Sequence, residues 1–76
     1  MKYKVGDKVK IRIDLDRNKI YGLRLNTEMY ELRGLEGTVE YITSSGNYEV
    51  YIPNFGFNFR WPEDMLEPVN KYPIEY

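Results

Sequence analysis

The sequence predicts an all-β fold in which five short strands form one small barrel. Charged and apolar residues alternate over several short segments, which is the spacing of a strand with one buried face. Gly, Pro, Asn and Asp, the residues that favour turns, separate these segments. A chain of 76 residues holds one hydrophobic core, so we expect a single domain over 1–69 and a C-terminal tail over 70–76.

The first strand is expected over 8–14, because its residues alternate between charged and β-branched side chains. In this strand Val9, Ile11 and Ile13 are predicted to point inward. From 15 to 25 the alternation stops, and the polar composition of this segment predicts a long first loop.

A short helix is predicted over 28–34, after the long loop. Thr27 can cap its first turn, and Gly34 can end it in the left-handed conformation. Near the C-terminus, 62–66 fits one turn of 3₁₀ helix that begins with a proline. The last strand, 66–69, also contains a proline, so we expect an edge or closing strand there.

Three further strands are predicted in the middle of the chain, over 37–42, 48–52 and 57–61. A hairpin loop over 43–47 joins the first two. Tyr51 and Ile42 fall on the outward phase of their strands. The residues expected at the core or the rim of the barrel are Val39, Tyr41, Tyr48, Val50, Ile52, Phe57, Phe59 and Trp61.

Four segments carry a pattern shared with known small barrels: Val5-Gly6-Asp7-x-Val9-x-Ile11, Gly34-x-x-Gly37-Thr38-Val39, Tyr48-x-Val50, and Trp61 followed by Leu66 and Val69. Together they resemble SH3-like barrels of the KOW, mind-bomb-repeat and photosystem-I-subunit-E type. The resemblance covers 5–69 and implies an SH3-like fold, but no particular function, because such barrels have unrelated activities. It does not imply binding of Pro-rich peptides, since Trp61 ends a strand, whereas in signalling SH3 domains the Trp begins one.

The composition argues against an enzyme. The chain has no Cys and no His, which excludes disulfides, Cys/His zinc sites and the usual bases of nucleophilic catalysis. No Gly-rich phosphate loop is present. The acidic pairs Asp14/Asp16 and Glu63/Asp64 provide too few oxygen ligands for a hard cation, so we expect neither a metal nor another cofactor.

No apolar run is long enough to span a bilayer, and no signal peptide opens the sequence, so a cytoplasmic protein is expected. The net charge is −1. The charges are unevenly distributed: 1–25 carries eight basic and three acidic residues, whereas the remaining 51 residues carry three basic and nine acidic ones. This asymmetry produces a two-sided protein only if the charges also separate in space.

The aromatic content predicts a protein-binding surface. Eight Tyr, three Phe and one Trp are too many for the interior of so short a barrel, and Tyr is enriched at interfaces. The alternative is that loop tyrosines cover the open ends of the barrel. The residues assigned to the protein-binding surface are Tyr21, Tyr30, Tyr51 and Phe55, with Arg17 and Arg24 nearby.

A second resemblance bears on the partner. Tyr21-Gly22, Met29, Leu32-Arg33-Gly34 and the segment from Trp61 to Leu66 are similar to uncharacterised small proteins encoded in phages and prophages of low-GC Gram-positive bacteria. This resemblance implies that the partner is a host protein.

Nucleic-acid binding is the alternative function. Strand alternation places Lys8, Lys10 and Arg12 on one outward face about 7 Å apart, a spacing that suits successive phosphates. The competing interpretation is that these side chains protect an edge strand from pairing with another chain.

Overall fold

Five strands form one antiparallel sheet in the computed structural model, which describes residues 2–19, 21 and 25–69. The predicted tail, 70–76, lies outside the described residues. The strands are β1 (Lys8–Ile11), β2 (Glu36–Ile42), β3 (Tyr48–Tyr51), β4 (Arg60–Trp61) and β5 (Leu66–Pro68). A short helix, α1 (Thr27–Glu31), follows the first loop, and a 3₁₀ helix, Glu63–Met65, connects β4 to β5. The predicted β architecture, the short helix and the 3₁₀ turn are therefore confirmed.

The strands lie in the order β4-β3-β2-β1-β5, so β1 pairs on both sides. The interpretation of Lys8 and Lys10 as protection of an edge strand is therefore wrong. The edges are β4 and β5, and the prediction for the last strand is confirmed. Neither helix in the described part of the chain is long and apolar enough to cross a membrane.

The core lies on the inner face of this sheet. Cross-strand pairs face it, including Val39 opposite Val50 and Tyr48 opposite Trp61. Gly37 stands opposite Val9, and a side chain at this position would collide with the Tyr51 carbonyl oxygen. The residues with almost no solvent exposure are Val9, Ile11, Val39, Tyr48, Val50, Trp61 and Met65.

The predicted orientations in β2 are wrong after Val39. The pairing of β2 with β3 skips Glu40, which forms a β-bulge, and continues with Tyr41 opposite Glu49. An extra residue reverses the side-chain alternation. Tyr41 is consequently 56% exposed, whereas Ile42 packs against the core.

Three further expectations need correction. The strand predicted over 8–14 ends at Ile11, and Ile13, which was expected to point inward, lies in a turn with 62% exposure. The cap of α1 is Asn26, whose Oδ1 accepts a hydrogen bond from the Met29 N–H at 2.8 Å, and not Thr27. The strand predicted over 57–61 forms only at its last two residues. Gly34 does adopt the predicted left-handed conformation, with φ of 82°.

Tyr3 is a buried tyrosine close to the N-terminus. Its ring packs edge-to-face on Tyr48 at 5.4 Å, and its main-chain N–H donates to the Tyr48 hydroxyl at 3.2 Å. The Tyr3 hydroxyl is buried and has no hydrogen-bond partner among the described residues. Burial, with the negative charge of Glu63 as a lesser cause, raises the pKa of Tyr3 above its usual 10.0.

We predict that Tyr3→Phe removes part of the alkaline sensitivity of the fold. A raised pKa means that the folded state holds the phenolic proton more tightly, so the stability from Tyr3 is present below pH 10 and is lost at higher pH. At pH 7 the variant should be as stable as the parent or more stable by about 1 kcal/mol, because an unsatisfied buried hydroxyl is removed. Urea unfolding at pH 7 and above pH 10 measures both effects. Tyr41→Phe, at an exposed position, is the control, and equal pH dependence in the two variants would contradict the assignment.

Candidate protein-binding site

A groove opens where the chain leaves β3, turns, and returns to β4. Its volume is about 860 Å³. The turn begins at Pro53, and Asn54 adopts a positive φ of 68°, which Asn tolerates better than most residues. The Phe55 N–H donates to the Ile52 carbonyl at 3.1 Å and closes the turn. The aromatic residues that line the groove are Tyr51, Phe55, Phe57 and Phe59.

Phe59 connects these rings to the core. The centroid of its ring lies 4.8 Å from that of Phe57, in an edge-to-face arrangement, and 5.9 Å from that of Phe55. On its other side it contacts the fully buried Trp61 at 6.3 Å, again edge-to-face. Phe57 remains 61% exposed and Tyr51 42% exposed. The groove therefore exposes Phe57 and Tyr51 to solvent, and Phe59 connects Phe57 to the buried Trp61.

A cross-strand ion pair forms the polar part of the groove. Glu49 and Arg60 stand directly opposite each other on β3 and β4, and the Arg60 Nε donates to Glu49 Oε2 at 3.2 Å. Asn58 also lines the groove, and its Nδ2 donates to Glu40 Oε1 at 3.2 Å. The pair is electrically neutral, but the Arg60 side chain is 64% exposed and keeps donor groups for a ligand.

Tyr41 extends the exposed aromatic area beyond the groove. The bulge at Glu40 places it opposite Glu49, on the outer face of the sheet. We define the aromatic surface as Tyr41, Tyr51, Phe55 and Phe57. For two of its members, Tyr41 and Phe57, the sequence predicts the core or the rim, because neither the bulge in β2 nor the late start of β4 has a signal in the local alternation.

The predicted protein-binding residues do not form one surface. Tyr51 and Phe55 both line the groove. Tyr21 is buried, and its hydroxyl accepts a hydrogen bond from the Asp16 N–H at 2.8 Å, so it braces the first loop. Tyr30 is half-buried and belongs, with Arg17, to a separate cluster on α1. Arg24 lies outside the described residues.

The predicted nucleic-acid face carries both signs of charge. Lys8 is exposed and stands opposite Thr38. Lys10 lies between two acidic cross-strand neighbours, Glu36 on β2 and Glu67 on β5. The basic row therefore has negative charge on both sides of its central lysine.

Arg12 follows β1 and is engaged within the chain. Its Nε and Nη2 donate to the Asp14 carboxylate at 3.0 and 2.8 Å, and its Nη1 donates to the Asp64 carbonyl at 3.1 Å. The hydrogen bond from Arg12 lowers the pKa of Asp14. Among the residues that the structure describes, no three acidic side chains converge on a possible cation site.

No protein-family model matches the chain, and no curated protein matches it significantly. The kind of ligand that the groove could bind is therefore inferred from its own residues. Rings that are held in place and exposed offer apolar contact area at a small cost in side-chain entropy. The adjacent Glu49–Arg60 pair offers hydrogen bonds that orient a ligand.

We predict that Phe59 and Phe57, which both line the groove, have different roles: Phe59 stabilises the fold, whereas Phe57 contributes little to stability. Phe59→Ala should lower the free energy of unfolding by about 2–3 kcal/mol, since it removes a half-buried ring between the groove and Trp61. Phe57→Ala, at an exposed position, should cost less than about 1 kcal/mol. Urea unfolding of both variants measures the difference. Equal losses would show that Phe57 also supports the fold.

Proposed function

We propose that this chain is a non-catalytic protein-interaction module that contacts its partner through the aromatic surface. The carrying observation is the exposure of Tyr51 and Phe57 at a groove where Phe59 packs on both Phe57 and the buried Trp61. Contiguous exposed apolar patches on small proteins mark binding sites more often than chance exposure. The absence of His and Cys from the sequence supports a binding function over a catalytic one.

The groove suits a partner that inserts apolar side chains. Phe57 and Tyr51 provide the contact area, and the ring of Phe59 packs against that of Phe57 and restricts its movement. A binding surface that is ordered before the encounter loses little entropy on association. Arg60 stands at the same groove and offers a charged donor to a carboxylate or carbonyl of the partner.

We also propose that the fold is an SH3-like barrel. The strand order, the long first loop and the 3₁₀ helix before β5 support this proposal, together with the sequence pattern over 5–69. The resemblance to phage and prophage proteins supports a cytoplasmic module whose partner is a protein of the host cell.

We predict that the double change Tyr51→Ala and Phe57→Ala weakens partner binding by about thirtyfold or more, the factor that corresponds to the loss of one interface hot spot. Affinity capture from a host-cell lysate identifies the partner, and calorimetry with the purified partner then gives the dissociation constant. Ile13→Ala is the matched control, because Ile13 is as exposed as Phe57 but lies in the turn after β1. Unchanged affinity in the double variant, an equal loss in the control, or failure to capture any partner would contradict the proposal.

Nucleic-acid binding by Lys8, Lys10 and Arg12 is the competing proposal, and salt dependence distinguishes the two. If the interaction module is the correct function, the protein should show no binding to single-stranded or duplex DNA or RNA at about 50 mM salt. Fluorescence anisotropy with labelled oligonucleotides measures this. Binding with a log–log salt slope of about −2 to −4 that disappears in the triple variant Lys8→Glu, Lys10→Glu, Arg12→Glu would favour the nucleic-acid function instead.

A further inference from the structure

The four arginines that the structure describes fall into two pairs. Arg12 and Arg60 are each ion-paired to a carboxylate, at 2.8 and 3.2 Å. Arg17 and Arg33 make no ion pair with any described residue. Both instead stack on one aromatic ring, that of Tyr30: the guanidinium carbon of Arg33 lies 3.8 Å from the ring centroid, and that of Arg17 lies 5.1 Å from it.

Each guanidinium of this second pair is also held by a hydrogen bond. Arg33 Nε donates to the Tyr30 carbonyl at 2.8 Å, and Arg17 Nη2 donates to the Thr27 hydroxyl at 3.4 Å. The helix that carries Tyr30 is fixed to the core by the buried Met29. Both Nη groups of Arg33, and the Nε and Nη1 of Arg17, donate to no described residue and remain available to a ligand.

The acidic residues close in sequence do not neutralise these two cations. Glu28 and Glu31 lie exposed on α1, and neither comes within ion-pairing distance of a guanidinium in the described structure. Asp16 is engaged within the first loop, where its carboxylate accepts a hydrogen bond from the Asn18 N–H at 2.9 Å. Two positive charges are thus held against one ring without a counter-ion among the described residues.

We propose that Arg17 and Arg33, held on Tyr30, form a binding site for a phosphoryl group. A phosphate monoester carries nearly two negative charges and several acceptor oxygens, so it can accept hydrogen bonds from more than one guanidinium group, whereas a single carboxylate matches one fork. Stacking on the ring orients the two side chains beforehand and reduces the entropy lost on binding. None of these residues lines the groove, so the site is independent of the proposed protein-interaction surface.

Titration of the whole chain with inorganic phosphate tests the proposal. The expected result is a saturable shift of the Arg17 and Arg33 Nε–Hε resonances in ¹⁵N–¹H spectra, with a dissociation constant in the millimolar range. Arg17→Gln and Arg33→Gln should each weaken binding about tenfold or more, the factor expected from losing a hydrogen bond between charged groups. Arg33→Lys should also weaken it, because Lys keeps the charge but lacks the planar fork.

Arg60→Gln is the matched control, since it makes the same change in net charge at an arginine that is already ion-paired. Phosphate affinity in this variant should stay within about twofold of the parent, and the amide spectra of all variants show whether the fold is intact. Titrations with O-phosphoserine and with adenosine monophosphate identify the source of the phosphoryl group by the tighter binding. Non-saturable shifts, unchanged affinity in Arg17→Gln and Arg33→Gln, or an equal loss in Arg60→Gln would overturn the proposal. None of these outcomes bears on partner binding at the groove.

Discussion

Two cross-strand pairs between β3 and β4 join the hydrophobic core to the candidate site. On the inner face, Tyr48 stands opposite Trp61, and both are fully buried. Large aromatic side chains bury about 150–250 Å² each, so each contributes roughly 4–6 kcal/mol of hydrophobic free energy before entropy is subtracted. On the outer face, the next pair along is Glu49 opposite Arg60, at the groove. The same two-residue strand therefore closes the core and positions the polar part of the surface.

Local alternation predicted the regular parts of the sheet. Val9, Ile11 and Val50 are buried as expected, because the bulge inserts its extra residue in β2 and leaves the alternation along β1 and β3 intact. The prediction failed for Tyr41, since the bulge at Glu40 depends on how β2 pairs with β3 across the hairpin, which the alternation within β2 does not show. It also failed for Ile13, because the pairing of β1 stops at Ile11 and the chain turns at Ile13. Both errors concern the places where strand pairing shifts or stops, which the alternation within one segment does not show.

Only part of the candidate site could be predicted from the sequence, because local alternation shows exposure only along regular strands. Tyr51 falls on the outward phase of a regular strand, so its exposure followed from the sequence, whereas Phe55 in the turn is partly buried against the core. The exposure of Phe57 depends on how the segment after the turn packs against Trp61, which only the folded chain determines. Tyr21 shows the opposite case: a loop tyrosine becomes buried when its hydroxyl accepts the Asp16 N–H.

Folding also mixes the two charge regions of the sequence. Lys10 comes from the basic first third of the chain, and the sheet places it between Glu36 and Glu67 of the acidic remainder. The asymmetry along the sequence therefore produces no uniformly basic face at β1. Among the described arginines, Arg17 and Arg33 form no ion pair with a described residue. Each stacks on the ring of Tyr30 and not on a carboxylate.

The ends of the sheet have a consequence for behaviour at high protein concentration. One edge, β4, is two residues long, and the other, β5, ends at Pro68, which has no N–H to donate. Fibrillar aggregation requires an edge with a continuous row of free donors and acceptors, onto which further chains add as strands. Both edges of the described sheet are too short to serve as such a template, so this sheet exposes aromatic side chains without also offering a long free edge to another chain.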